Sequence, residues 1–456
     1  MASHPPPLPT DAVEEFYKKA AVACCDHHIC VDVFAMAHQY VDLATLGVVA
    51  KFTGGQAYYY PEFRAQRDGE KLRAELTHCM SRFVGFEAVT RIRCSRGLEV
   101  PHFYGHFFLR SADLLSFSNV DQDKALAVEF NIDESLANQR EVFVQVAVLF
   151  TMANGERRIR AHTVRIPVVS NLFDMYRFVD TQAAICLWAK TACDQMSQTS
   201  FGEIRSQFEK KLAKSLANYA AVCPNRAMPS PTGAKQLMIP DTMKYFPMYL
   251  LGLLKSPLLR AVGDMPPDQR AAAMFQVMTL PVRLLIAYAY PRLFALHSLP
   301  PEALSRDAQG TLVRPPLVRL TREKIETTGI YLLENGQQML IWVGRQANPT
   351  LVDALLVAAP APSPASAHDQ LARHRFHQPR YALAPASHSE PAARLNALID
   401  SLRGDWAGMT QQPLQVYHEE DEFGGVFFGF LIEDTWPNQL SYPEFLTHIH
   451  GLLGSM

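Results

Sequence analysis

The sequence predicts a multidomain α+β protein, because the spacing of its apolar residues changes twice along the chain. A strand–helix–strand pattern comes first, and side chains alternate with a period of two from about Gly85. Apolar residues at helical spacing follow from about Ser170, and a mixed pattern follows from about Arg314. These changes divide the chain into four predicted domains, at residues 1–84, 85–170, 171–300 and 301–456.

The composition is that of a folded globular protein, with 48% apolar and 19% charged residues. A formal net charge of −2 argues against a protein that binds nucleic acid through bulk positive charge. The eight cysteines are sparse and lack CxxC spacing, which favours reduced thiols in a cytosolic protein. The N-terminal residues do not resemble a secretory signal, and no apolar run reaches the roughly 18–20 residues that span a membrane.

The first predicted domain, 1–84, contains a βαβ unit. An apolar strand at 29–37 precedes a helix at 42–52, and a second strand follows at 57–60. This spacing is typical of a crossover between two parallel strands. Two parallel strands cannot form a covered sheet alone, so we expect the chain to begin inside a domain or to pair with something else.

The second predicted domain, 85–170, is an antiparallel β-sandwich. Its clearest signal is the Asn-Gly pair at 154–155, because both residues accept the positive φ of a type I′ hairpin turn. After the turn, Arg158, Arg160 and His162 alternate with small or apolar residues, which places a basic ladder on one face and an apolar face opposite. The ladder is either a solvated sheet face or a docking surface for carboxylates or anionic headgroups.

The third predicted domain, 171–300, is all-helical. Ser200 and Glu203 form a capping box, and apolar residues at four-residue spacing follow it. Further helices are expected at 249–255 and 267–290. These apolar stripes favour a helical core over a cofactor pocket.

The fourth predicted domain, 301–456, mixes strands and helices. A hairpin is expected around 334–336, and a final helix at 442–453. Residues 358–391 are rich in Ala, Pro, Ser and His. We predict a flexible loop at 358–391, because it has too few periodic apolar residues to offset the entropy of ordering.

The sequence nominates no catalytic or metal-binding residues. The segment 24–30 contains three cysteines and two histidines, but adjacent residues in a short turn would point in different directions. The GxSxG, P-loop, HExxH and strand-linked GxGxxG motifs are missing from the sequence. We therefore expect a protein that is not an enzyme.

Several separate motifs carry a resemblance to a known family. In chain order they are YYYP at 58–61, GFEAVTRIRC at 85–94, GHFFLRS at 105–111, GERRIRAHT at 155–163, QAA at 182–184, IWVG at 341–344 and SYPEFL at 441–446. Together they resemble the cargo-adaptor subunit of the COPII vesicle coat, the Sec24 type. The resemblance runs from about Phe16 to residue 456.

This resemblance implies four modules: the C-terminal part of a von Willebrand A-like trunk, a β-sandwich, an all-helical domain and a gelsolin-like α/β domain. The family's four-cysteine zinc finger and most of its trunk have no counterpart in this sequence. We therefore expect a partial chain that holds no zinc and no other cofactor.

The resemblance also implies a function and a set of partners. The family contributes to the inner coat and binds sorting signals on cargo tails for transport from the endoplasmic reticulum to the Golgi. Implied partners are the GTPase-activating sister subunit, the cytosolic tails of membrane cargo and SNARE proteins, the small coat GTPase indirectly, and the endoplasmic reticulum membrane surface, without nucleic acid. The implied location is the cytoplasm, peripheral on endoplasmic reticulum exit sites and the COPII vesicle coat.

The cargo-binding residues that the resemblance implies lie on the sandwich and near the C-terminus. They are Phe108, Arg110, Leu149, Arg158, Arg160, Phe427 and Phe428. An extended tail with an apolar residue and a carboxylate needs an apolar wall and a guanidinium, and we expect Leu149 to be such a wall beside the two ladder arginines. Alternatively, the arginines form structural salt bridges to Glu87, Glu156 or Asp113.

Two further functions remain open. One is the sister coat subunit, which activates the coat GTPase through an inserted arginine. The motifs at 441–446 and 155–158 resemble the adaptor more closely. The other is a gelsolin-like protein that binds actin or calcium, although no clustered Asp/Glu loop of the usual calcium-binding spacing supports it.

Overall fold

The computed structural model describes residues 11–223, 237–261, 265–300, 302–359, 380–422 and 424–454. They form two compact units. The first contains the described residues within 1–64, 79–286 and 444–456, and the second contains those within 65–78 and 287–443. Helices and sheets occur in both units, which agrees with the predicted α+β class. Within the described residues, no helix is both long and apolar enough to cross a lipid bilayer.

The first unit begins with the predicted βαβ unit, whose two strands pair in parallel along their whole length. The helix between them ends at Gly54, whose left-handed φ of 81° lets the backbone turn away. The elements up to residue 81 are α1 (Asp11–Asp26), β1 (Val33–Ala37), α2 (Leu43–Thr53), β2 (Ala57–Pro61) and α3 (Ala65–Ser81).

The predicted antiparallel strands are present in the next part of this unit. Five of them form a sheet in the order β5-β6-β3-β8-β9, and β4 pairs with β7 in a second sheet. The core between them contains Ala88, Leu115, Phe117 and Phe150. The strands are β3 (Val84–Cys94), β4 (Leu98–Tyr104), β5 (Phe108–Ser111), β6 (Leu114–Asp121), β7 (Ala127–Ile132), β8 (Glu141–Met152) and β9 (Arg157–Pro167).

The hairpin between β8 and β9 is confirmed, but its predicted turn type is wrong. Of the two predicted turn residues, Gly155 has a positive φ of 81°, and Asn154 does not have a positive φ. The Gly155 N–H donates to the carbonyl of Met152 at 2.9 Å, and the Met152 N–H donates to the carbonyl of Glu156 at 2.8 Å. This is a three-residue loop, a type I turn followed by a left-handed glycine, rather than the two-residue type I′ turn.

A buried ion network joins the βαβ unit to the sandwich. The side chain of Arg82 is 2% exposed and lies 3.2 Å from Asp123, 3.3 Å from Asp121 and 3.5 Å from Asp32. Burial opposes the charge of Arg82, but the carboxylates, Asp121 first, outweigh burial and raise its pKa. Lys124 is a second cation of this network, 3.3 Å from Asp121, and Arg82 is the cation that contacts all three carboxylates.

The helical part of the first unit follows the predicted pattern. Ser200 caps its helix by accepting from the Glu203 N–H at 3.3 Å. The predicted helix at 267–290 is divided in two, because Pro281 cannot continue the backbone bonding of the first segment. The helices are α4 (Leu172–Tyr176), α5 (Thr181–Gln195), α6 (Phe201–Val222), α7 (Phe246–Lys255), α8 (Pro267–Thr279) and α9 (Val282–Ala289).

The second unit is built on a four-stranded sheet in the order β10-β11-β12-β15. The predicted hairpin is present as the antiparallel pair β11 and β12, and β15 adds to β12 in parallel. The remaining strands and α-helices among the described residues are β10 (Arg292–Ala295), β11 (Ile330–Glu334), β12 (Met339–Val343), α10 (Pro349–Leu355), β13 (Leu356–Ala358), β14 (Tyr381–Leu383), α11 (Glu390–Gly404), β15 (Leu414–His418) and α12 (Tyr442–Gly454).

The predicted range of the flexible loop, 358–391, is too long. Strand β14 lies inside it and pairs with β13, and helix α11 begins at Glu390. Ser389 caps this helix by accepting from the Ala392 N–H at 3.0 Å. The part of the prediction that covers 360–379 lies outside the described residues.

Candidate functional site

The strand register decides which candidate residues share a face of the five-stranded sheet. Residues opposite each other on neighbouring strands point to the same side. One row across the sheet consists of Ile159, Leu149, Val89, Ser116 and Phe108. Two predicted residues, Phe108 and Leu149, therefore lie on one face, in one row. Two strands lie between the strands that carry Phe108 and Leu149, so the backbones at these two residues are about 14 Å apart.

The ladder arginines lie on the other face. Arg160 is opposite Val148, which in turn is opposite Thr90, and Arg158 is opposite the buried Phe150. This is the face that carries the sandwich core. The predicted apolar wall beside the arginines is therefore wrong, because Leu149 points away from them.

The predicted sandwich residues are thus divided between the two edges of one sheet. Phe108 and Arg110 lie on β5 at one edge, and Arg158 and Arg160 lie on β9 at the other. Four strand spacings of about 4.8 Å separate the two edges by about 19 Å. The arginines at the two edges do not form one pocket.

At the β5 edge, Arg110 occupies a bulge between Leu109 and Ser111. Its side chain is exposed, and its positive charge interacts electrostatically with the Cys25 thiol on α1. Burial raises the pKa of the Cys25 thiol, and the positive charge of Arg110 acts in the opposite direction. Arg110 is an exposed cation at the junction of the sandwich and α1.

At the β9 edge, the arginines differ in how they are paired. Arg158 donates from Nε and Nη2 to Glu156 at 3.1 and 2.5 Å, which lowers the pKa of that carboxyl group. Arg157 lies 3.4 Å from Glu87. Among the described residues, Arg160 has no ion pair or hydrogen bond through its side chain. The alternative of a structural salt bridge therefore applies to Arg158. Arg160 is exposed and has no acidic partner among the described residues.

The two aromatic candidates of the second unit have different environments. Phe427 is 0% exposed and stacks on the buried Trp342 with ring centroids 5.5 Å apart. This makes Phe427 a core residue rather than part of a binding surface. Phe428 is half-buried, and the guanidinium of Arg322 lies 4.5 Å from its ring centroid. Arg322 was not predicted, because it lies far from Phe428 in sequence and belongs to no motif.

Comparisons with known protein families extend these observations to most of the chain. The Sec23/Sec24 trunk domain matches residues 10–80, the Sec23/Sec24 beta-sandwich domain 85–169 and the Sec23/Sec24 helical domain 180–287. A gelsolin repeat matches residues 311–388. The chain belongs to the Sec24 family. The predicted resemblance and the four-module α+β fold class are therefore confirmed.

Individual relatives agree with this assignment to the Sec24 family. The chain is 34% identical to human Sec24A over 442 residues, which cover 95% of this chain and 38% of the relative. It is 38% identical to SEC24 A of Arabidopsis thaliana over 348 residues, which cover 76% of this chain and 33% of the relative. The structure of the human COPII-coat protein Sec24c matches 98% of this chain and 54% of its own, with 30% identity and a TM-score of 0.83.

This Sec24-family chain therefore spans about a third of the length of the curated relatives. The relatives carry the Sec24 name, so the adaptor subunit is better supported than its sister subunit. Within the described residues, no group of three or more His, Cys, Asp or Glu side chains could hold a metal ion.

Proposed function

We propose that this chain is a COPII coat adaptor that binds carboxylate-bearing sorting signals on cargo tails for transport from the endoplasmic reticulum to the Golgi. Its similarity to Sec24 proteins over almost its whole length supports the coat assignment. The observation that carries the binding chemistry is the exposed Arg160, which lacks an acidic partner within the described chain. A guanidinium without a neutralising carboxylate is suited to accept one from a ligand.

The proposed partners are those that a Sec24-type adaptor requires. They are the GTPase-activating sister subunit, the tails of membrane cargo and SNARE proteins, the endoplasmic reticulum membrane surface and, indirectly, the small coat GTPase. The proposed location is the cytoplasmic side of exit sites and the vesicle coat. We further propose that the chain acts without a cofactor and without catalysis.

The proposal is tested by measuring the affinity of the purified chain for a fluorescent cargo-tail peptide that carries two acidic residues and a free C-terminal carboxylate. Arg160→Ala is expected to weaken binding, and Arg158→Ala less so, because Glu156 already holds that guanidinium. Arg110→Ala, at the opposite edge of the sheet, shows whether a second site binds the same peptide. Lys210→Ala removes an exposed cation from helix α6 and is the matched control. Unchanged affinity in all three arginine variants contradicts the proposal.

A second measurement distinguishes the adaptor function from that of the sister coat subunit and from that of a gelsolin-like protein. The purified chain is added to the coat GTPase on liposomes and, separately, to filamentous actin with and without calcium. An adaptor changes neither the rate of GTP hydrolysis nor the amount of protein that sediments with actin. Direct stimulation of hydrolysis favours the sister subunit, and calcium-dependent sedimentation favours the gelsolin-like function.

A further inference from the structure

Helix α2 begins without a side-chain cap from the residue that precedes it. This residue, Asp42, has a left-handed backbone, with φ of 56° and ψ of 54°, and its side chain makes no cap bond to the helix. Its carboxylate instead accepts from the hydroxyl groups of Tyr40 at 3.1 Å and Thr45 at 2.6 Å. The first N–H groups of a helix have no partner within the helix, so an acceptor from elsewhere must satisfy them.

Asp268, the second residue of α8, supplies this acceptor. Its Oδ1 accepts from the Leu43 N–H and its Oδ2 from the Val41 N–H, both at 2.8 Å. The two N–H groups lie on either side of Asp42, whose left-handed backbone lets them converge on one anion. Asp268 is 3% exposed and lies 225 residues from Leu43 along the chain. The carboxylate is therefore bound in a buried site with two backbone donors.

The packing of α2 against α8 explains why this site favours a negative charge. Ala271 and Phe275 follow Asp268 on the same face of α8, and both pack with Leu43 in one apolar cluster. Further along α2, a Cβ atom at Gly47 would lie 2.2 Å from the Phe275 ring. The two helices therefore run in the same direction, with their N-termini side by side. Each N-terminus carries a partial positive charge, and one carboxylate between them stabilises both.

The site occupies the position at which α/β folds usually bind ligands. Strand β1 ends at Ala37, and α2 begins at Leu43. Ligands of such folds bind outside the carboxyl ends of parallel strands, and the N-terminus of the following helix binds their anionic groups. In this chain, an acidic side chain from the helical part of the first unit fills this position.

We propose that the N-terminus of α2 is a carboxylate-binding site and that Asp268 occupies it as an internal ligand, which joins the helical part of the first unit to the βαβ unit. The chemical class of ligand is a small carboxylate, which enters when the Asp268 carboxylate is removed. A ligand site differs from an ordinary structural contact because it binds its anion without a covalent link to the chain. The inference is independent of cargo binding.

The test replaces the internal carboxylate with a free one in the whole chain. Asp268→Ala leaves a space the size of formate, so sodium formate is the probe. The melting temperature of this variant should fall by about 5 °C or more, because two buried N–H groups lose their acceptor. Formate should restore at least about half of this loss, and its effect should saturate with concentration. Sodium chloride at equal ionic strength should not restore it, because a screening effect is common to both salts.

Three further proteins are the controls. In the parent protein Asp268 fills the site, so formate should stabilise it no more than chloride does. Asp268→Asn keeps the volume of the side chain but not its charge, so it should be less stable than the parent and insensitive to formate. Asp180→Ala removes an exposed carboxylate that accepts from the Ala183 N–H at 2.9 Å at the start of α5. Formate should not rescue this variant, because an exposed helix end does not enclose the anion.

Each other outcome has a defined meaning. If formate fails to stabilise Asp268→Ala, or stabilises the parent and Asp180→Ala equally, Asp268 makes a structural contact only and the inference is overturned. If Asp268→Ala does not fold in buffer, the yield of refolded protein in formate is compared with that in chloride. A higher yield in formate supports the site, and equal yields overturn it. The affinity of the parent protein for a cargo-tail peptide tests the proposed function separately.

Discussion

Leu149 lies directly opposite Ile159 on the neighbouring strands β8 and β9, so both side chains occupy the face of the sheet that Arg158 and Arg160 do not. The apolar residue and the cations that the sequence suggested as one pocket are therefore separated by the sheet itself. Strand alternation has a period of two, and no change of rotamer can bring these side chains together.

The first prediction follows from this separation. Arg160→Ala should weaken binding of an acidic tail peptide, and Leu149→Ala should leave its affinity nearly unchanged. The double variant should show the sum of the two effects, with a coupling free energy within about 0.5 kcal/mol of zero. Fluorescence anisotropy of the four proteins measures this cycle. A coupling well above 1 kcal/mol would mean that Leu149 and Arg160 contact the same ligand group.

The second prediction concerns the buried ion network of the first unit. Arg82→Met should lower the free energy of unfolding by about 3–5 kcal/mol, because Asp32, Asp121 and Asp123 lose the cation that they share. Arg96→Met is the matched control, since Arg96 pairs with Glu134 at 2.8 Å but is 84% exposed. This control should change stability by less than about 1 kcal/mol. Urea unfolding followed by circular dichroism makes the comparison, and equal losses would contradict it.

The third prediction is a pH dependence that originates at His106. This ring is buried, its Nδ1–H donates to the Gly55 carbonyl at 2.8 Å, and within the described chain its Nε2 has no hydrogen-bond partner. Burial lowers its pKa from 6.5 to about 3. Because the unfolded chain takes up a proton near pH 6.5 and the folded chain does not, stability is complete above pH 6.5 and decreases as the pH falls towards 3.

The expected slope is about 1.4 kcal/mol per pH unit below pH 6 from this single group. His106→Asn keeps a donor for Gly55 and should remove this part of the slope. His102→Asn, at an exposed position, should leave it unchanged. Urea unfolding between pH 7 and pH 4.5 measures all three proteins. Identical slopes in the parent and His106→Asn would show that His106 is protonated in the folded state.

The fourth prediction concerns Gly336 in the hairpin of the second unit. Its φ is 81°, and a Cβ atom at this position would lie 2.0 Å from the ring of the fully buried Trp406. The Trp406 Nε1–H donates to Glu334 at 2.9 Å, which limits how far the ring can move. Gly336→Ala should therefore destabilise the second unit by roughly 2–4 kcal/mol, from the left-handed backbone and the clash together.

Gly404→Ala is the control for this substitution. No atom lies within 4 Å of the added Cβ at Gly404, which ends helix α11. Thermal unfolding followed by tryptophan fluorescence should show a lower melting temperature for Gly336→Ala alone. If Gly336→Ala melts with the parent protein, the hairpin and Trp406 are more adaptable than their contacts indicate.

The broad order of strand-rich and helix-rich segments followed from residue spacing alone, although helix α3 was not predicted. The βαβ unit, the antiparallel strands, the all-helical segment and the β11–β12 hairpin were all predicted, because each depends on local periodicity and on turn or cap residues. The errors were also local. A proline divided one predicted helix. The predicted loop at 358–391 included a short strand and the start of a helix, which its composition did not indicate.

The sequence by itself determined that arginines alternate along β9, and it determined the family resemblance through short motifs in a fixed order. Only the tertiary structure decided which residues those arginines face, since this depends on the register between strands and on which strands lie at the edge. Thus Arg158 has Glu156 as a partner, Arg160 has none within the described chain, Phe427 is in the core, and Leu149 is on the opposite face. Strand order and burial arise from contacts between residues far apart in sequence, and no local pattern encodes them.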